Sequence, residues 1–277
     1  MKTNIWMNIG LVAAAVLGGG CANMGGNQRH SASNLSTYLY SGQAGPVEKT
    51  SPPVLSVPLH MAVAFVPTES PTNPWPIGLN GTLNGSYQVD PPFSENQRLE
   101  VMKQISGQLA QYPSFGSAEL IANDYMVPRG GFANLDRLQA MYGVDTVMLL
   151  SYDQVQFTDE GAMTLSYWTI VGIYMVPAEK NVTKTVLEAA VYDIASRKLL
   201  FRASGTGNIK GSATPVNLSE KLRADSRKSF TMAATNLVAN LKVQIADFEK
   251  QAVATPAKFA IQHKPDAATG GIFGEQD

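Results

Sequence analysis

The lone cysteine of this 277-residue chain, Cys21, removes internal disulfides from the devices that can hold its fold together. Stability must therefore come from packing. The thiol also stands at a telling place, after a short charged start (Met1-Lys2), an apolar core over residues 5–17 and the small run Gly18-Gly19-Gly20. A core of about a dozen apolar residues is too short to remain as a membrane-spanning helix. The arrangement is that of a bacterial lipoprotein leader, in which small side chains before the cysteine let the backbone enter a signal peptidase and the thiol takes a diacylglycerol. Gly18 occupies the position where a bulky aliphatic is usual, with Leu17 displaced by one. A buried free cysteine is the competing reading, but Cys21 lies between three glycines and the polar run 22–36. Ala22 follows the cysteine, rather than an aspartate that would hold the protein at the inner membrane, so the expected location is the outer membrane, facing the periplasm.

The residues beyond the leader carry enough apolar material for a core, at 44% hydrophobic and 16% charged. One domain over residues 59–250 is expected, between a lipidated flexible tether (21–58) and a disordered C-terminal tail (251–277). The tether is rich in Ser, Gly, Asn and Pro, with Leu35, Tyr38, Leu39 and Tyr40 as a cluster able to dock on the body. Net charge is -1 and no dense Lys/Arg run occurs, which argues against nucleic acid as a partner.

Within the domain, residues 59–67 read as a buried strand ended by Pro67. Residues 68–93 form a long excursion with the turn pairs Asn80-Gly81 and Asn84-Gly85. Ser94 with Gln97 makes a capping box ahead of a helix carrying Leu99, Met102, Ile105 and Leu109. A short strand is expected over 119–126, then a helix capped by Asn134 and closed by Gly143, then a strand over 144–155. From residue 164 the pattern becomes an antiparallel meander, with Asp193 bonding forward into a turn at 195–197. A long terminal helix bears Leu222, Phe230, Ala234, Leu237, Leu241, Ile245 and Phe248 on one stripe. The predicted class is an α/β (α+β) sandwich, a mixed sheet with helices packed on it.

Candidate chemistry is sparse. Of three histidines, His30 lies in the tether and His263 in the tail, leaving His60 on a strand with no G-x-S-x-G elbow elsewhere. No His/Cys set for zinc is readable, and no cofactor is expected. Asp153, Asp159 and Glu160 are the acidic candidates, near Glu179 and Lys180 if their strands pair. The competing reading makes 158–161 a solvated turn. Arg129-Gly130-Gly131 could present donors to an anion before a helix, though a glycine turn without phosphate-loop spacing is the favoured reading, and Gly205-Thr206-Gly207 precedes no helix directly, so neither is a nucleotide signature. The apolar strand 165–176 offers Trp168, Ile170 and Tyr174 as a partner face, if it is not buried on both sides.

Four segments carry a resemblance: Phe132-Ala133-Asn134-Leu135-Asp136, Ser151-Tyr152-Asp153-Gln154-Val155-Gln156 with Thr158-Asp159-Glu160-Gly161, Tyr167-Trp168-Thr169-Ile170-Val171-Gly172, and Gly211-Ser212-Ala213-Thr214-Pro215-Val216-Asn217-Leu218-Ser219-Glu220. Together they resemble the rhombotarget lipoprotein family over roughly residues 59–248. That resemblance implies a C-terminal Gly-Gly motif, an apolar helix and a basic end read by a rhomboid-type protease. Gly270-Gly271 answers to the first of these, and residues 272–277 to neither of the others. More loosely, Gly143-Val144-Asp145-Thr146-Val147 and Val191-Tyr192-Asp193-Ile194-Ala195-Ser196-Arg197-Lys198-Leu199-Leu200-Phe201 look like periplasmic lipoproteins built as the soluble part of the curli secretion lipoprotein. This implies an α/β sandwich used for assembly.

The reading is thus an outer-membrane lipoprotein with a non-catalytic binding or assembly domain, partnered by the membrane through its lipid and by an envelope protein or itself. The alternatives are a subunit of a secretion oligomer and a carboxylate-dependent periplasmic enzyme.

Overall fold

A computed structural model describes residues 27–41, 52–68, 93–160, 179–213, 216–255 and 260–263. Its centre is a mixed sheet. β3 (Leu59–Phe65) runs parallel to both β4 (Phe115–Leu120) and the first half of β5 (Thr146–Glu160). β5 then pairs antiparallel with β6 (Glu179–Asp193), and β6 with β7 (Leu199–Ala213), giving the order β4-β3-β5-β6-β7. β1 (Asn27–Ala32) lies antiparallel against residues 153–158 of β5, continuing the edge that β3 occupies at 146–150. A separate parallel pair joins β2 (Val54–Val57) to β8 (Ala260–His263).

Helices cover both faces. α2 (Glu95–Leu109) and the 37-residue α4 (Leu218–Ala254) bury one face, where Met61, Val63, Met148, Leu150, Leu187 and Val191 meet Ile105, Phe230, Leu237 and Ile245. α1 (Leu35–Tyr40) and α3 (Gly131–Tyr142) bury the near half of the other, over Ala62, Ala64, Val147, Leu149, Ala190 and Tyr192. The α/β class, the antiparallel meander and the long terminal helix are as the patterns predict. The expected capping box at Ser94 and Gln97 forms in both directions. Gly143 closes α3 at φ 65, and Asp193 accepts the Ser196 N–H at 2.8 Å.

Five expectations change. Residues 27–41 and 52–58 of the expected tether belong to the body, because backbone pairing and not apolar periodicity holds β1: Ser33 N–H donates to the Tyr152 carbonyl at 2.8 Å and Ser33 Oγ accepts the Tyr152 N–H at 3.1 Å. The expected tail contributes the end of α4 and β8. The strand expected over 119–126 is β4 from Phe115, followed by a 3-10 turn at Asn123–Tyr125. The expected solvated turn at 158–161 is strand through Glu160, with register running to Glu160↔Glu179 and Thr158 buried. Asn134 does not cap α3, which starts after Gly130.

Asn134 instead sits inside the first turn and organises the segment before it. Its Oδ1 accepts the Val127 N–H at 2.8 Å and the Tyr38 hydroxyl at 2.9 Å, and its Nδ2 donates to the Tyr125 carbonyl at 3.0 Å. Burial pushes the Tyr38 phenol well above its ordinary value of 10. The unfolded chain therefore releases this proton first, and the domain loses stability as pH rises above about 10. Tyr38→Phe should flatten that alkaline loss while leaving Asn134 Oδ1 bonded to Val127, which denaturation midpoints measured across pH 8–11 would show.

Candidate interaction surface

Along β5 and β6 alternate residues face opposite layers. On the α4 side the far half of the sheet is polar but buried. Gln154 Nε2 donates to Thr185 Oγ1 at 2.7 Å, Ser226 Oγ to Gln154 Oε1 at 2.7 Å, and Gln156 Nε2 to the Leu222 carbonyl at 2.8 Å. Asn181 Nδ2 reaches Asp225 Oδ2 at 2.5 Å, and Lys221 Nζ lies 3.2 Å from the other oxygen of this buried carboxylate. These bonds fix α4 in one position, since a shift would strand buried polar groups. Sequence reading found the apolar stripe of α4 and missed this polar seam, whose Asp225, Ser226 and Ser229 occupy helical spacing with Leu222 and Phe230.

Helix and sheet approach most closely at β7. A Cβ placed on Gly205 would stand 2.1 Å from the Ala233 carbonyl oxygen, and one on Gly207 would stand 2.0 Å from that of Ser229. The outward carbonyls of this edge strand are met by α4 as well: Asn236 Nδ2 donates to Thr206 O and Asn240 Nδ2 to Ser204 O, each at 2.7 Å. The pair of glycines that is no nucleotide signature is thus a seat for the helix, and α4 blocks the edge of β7 against further strand pairing.

On the opposite side, α1 and α3 stop at the near half. Among the described residues no helix covers the far half, where the register sets Asp153 beside Val186, Val155 beside Lys184 and Phe157 beside Val182. Phe157 and Val186 are each 43% exposed. At the border of this open face, a groove of about 470 Å³ runs between α1 and the sheet, with Ser36 and Tyr40 opposite Ser151, Asp153, Glu188 and Tyr192. Each of these two acids has a partner: Asp153 Oδ1 lies 2.8 Å from His30 Nε2, and Glu188 lies 3.8 Å from Arg202. His30, expected in the tether, enters this surface through β1.

The three acidic candidates occupy separate positions. Asp153 and Asp159 stand six residues apart on β5, about 20 Å of strand, with Glu160 at its end. Asp159 is paired in register with Lys180, and Glu160 with Glu179, because the described partner of β5 is β6, while the strand expected at 165–176 lies outside the described residues. Arg129, just before α3, and Gly131, its first residue, take left-handed φ of 57 and 56, and a small hollow of about 150 Å³ there also receives Arg197. The Arg197 guanidinium is engaged there, 5.3 Å from the Phe132 ring and 3.7 Å from Asp136. Cys21 and the candidate face of Trp168, Ile170 and Tyr174 lie outside the described residues. Among the described residues, no group of three or more His, Cys, Asp or Glu side chains could hold a metal.

No protein-family model matches the chain, and no curated protein matches it by sequence. Among solved structures, a neuraminyllactose-binding hemagglutinin homologue from Helicobacter pylori is similar at 14% identity and a TM-score of 0.38, over 76% of this chain and 96% of that one. The dodecameric PelC of Paraburkholderia phytofirmans is similar in two crystal forms, each at 12% identity over 76% of this chain and 99% of that one, with TM-scores of 0.25 and 0.23.

Proposed function

We propose that this chain is a lipoprotein of the bacterial outer membrane whose periplasmic α/β domain binds or assembles with another envelope component through the open far half of its sheet. The observation that carries the reading is that face: a half-sheet that no described helix covers, on which Phe157 and Val186 are exposed and Val155 and Val182 half-buried, interleaved with the exposed Asp153 and Lys184. Large exposed apolar side chains set among polar and charged ones suit a non-obligate protein interface, which is about as polar as the rest of a protein surface. The anchor follows from Cys21 and the leader before it.

The test is the size of the detergent-extracted, lipidated protein on native gels and by light scattering. Wild type should run as a complex larger than the monomer. Phe157→Asp and Val186→Asp, both at exposed positions, should weaken that complex about tenfold or more while keeping the melting temperature. A monomeric wild type, or a complex untouched by both changes, would contradict the reading. The enzyme alternative draws on Asp153 beside His30. It predicts that Asp153→Asn removes a turnover without changing complex size.

A further inference from the structure

Chain direction and tether length together restrict how this domain can stand on a membrane. Asn27 pairs with Thr158, two residues from the last β5–β6 pair, Glu160 with Glu179. The chain therefore enters the fold at the far end of the sheet. Cys21 precedes Asn27 by six residues, which span about 20 Å at full extension. From Thr158 back to Thr146 the strand covers about 40 Å. A domain standing on its near end would hold Asn27 beyond the reach of a lipid on Cys21.

The far end also holds the start of α4, since the Leu222 carbonyl accepts Gln156 and Asp225 meets Asn181. Over its first three turns this helix exposes Arg223, Arg227 and Lys228, against Glu220 as the exposed acid, while Lys221 is engaged with buried Asp225. Lys184 and Lys210 are exposed on the other side of the sheet, and Asp159, Glu160, Lys180 and Glu179 occupy the strand ends. These three cations lie beyond the first turn of α4, where the macrodipole has faded, and no ion pair among the described residues engages them, so neither helix capping nor a salt bridge accounts for them. Anionic headgroups would, because each Lys or Arg near such a surface is favourable and the field fades within a Debye length.

We propose that the far end of the sheet faces the lipid surface, with Arg223, Arg227 and Lys228 against anionic headgroups and the β6–β7 turn pointing away into the periplasm. This rests on lipidation at Cys21.

The test uses the full lipoprotein in vesicles of phosphatidylethanolamine with phosphatidylglycerol that carry a headgroup spin label. Because the Cys21 thiol is consumed in its thioether, one introduced cysteine takes a fluorophore uniquely, either at Ser212→Cys on the far end of β7 or at Ala195→Cys in the exposed β6–β7 turn. The Ser212 label should be quenched several-fold more than the Ala195 label. Combining Arg223→Glu, Arg227→Glu and Lys228→Glu should at least halve the Ser212 quenching without lowering the melting temperature, and phosphatidylcholine vesicles should do the same to the unchanged helix. Equal or stronger quenching at Ala195 overturns the orientation. Quenching at Ser212 that ignores both the triple change and the lipid charge overturns the headgroup contact. A protein that fails to bind vesicles and shows a free Cys21 by mass spectrometry removes the lipoprotein reading itself, a result distinct from either.

Discussion

Gly205→Ala is expected to destabilise the domain by about 4 kcal/mol or more, near the upper end of what single substitutions do. The new methyl would sit 2.1 Å from the Ala233 carbonyl oxygen and 2.2 Å from the Leu237 amide nitrogen, both backbone atoms of α4. A side chain can swing away from such a clash, whereas a helix must lift off its sheet. Lifting would strand the buried Gln154, Ser226 and Asn181 bonds and free the edge carbonyls that Asn236 and Asn240 meet. Chemical denaturation should show a large fall in midpoint. Thr206→Ala, one residue away and exposed on the other side of the strand, should leave the midpoint within about 0.5 kcal/mol of wild type. A Gly205→Ala protein that melts like the parent would mean that α4 does not rest on β7.

The second large effect is expected at Leu237, fully buried where α4 crosses the sheet. Leu237→Ala removes a fully buried side chain of the core shared by α4, β3, β5 and α2, and should cost about 2–5 kcal/mol, depending on how far the site collapses. Leu241→Ala should behave alike. Met232→Ala, exposed on the same helix, should cost little. Equal effects from the buried and the exposed changes would place the helix away from the core.

The legible parts of this fold were those in which apolar period or cap chemistry carries the information. The stripe of α4 from Leu222 to Phe248, the Ser94 capping box, the Gly143 stop and the Asp193 turn all belong to this class, because each depends on residues within a few positions of one another. β1 was hidden for the converse reason. Its residues are polar except for Ala32 and are held by main-chain pairing to β5 more than 100 residues away, a partner that no local pattern names. Similarly, Gly205 and Gly207 could be seen as a pair, but their use depends on which helix backbone comes to rest on them. The candidate surface was half legible. Asp153 reads as an acid near a strand end, but its partner His30 stands 123 residues away in a polar stretch that no local pattern ties to it. Phe157 and Val186 attract no notice as single apolar residues until register sets them on one face that no described helix covers.

The central claim is that the lipid on Cys21 holds a binding domain at the outer membrane, and the mass spectrum of the protein's mature N-terminus tests it most directly. The account predicts a chain beginning at Cys21 with a mass increment for a diacylglyceryl group, recovered with outer-membrane fragments, and an uncleaved, mislocalised precursor for Cys21→Ala. A mature chain that starts elsewhere, or at an unmodified Cys21, would contradict it.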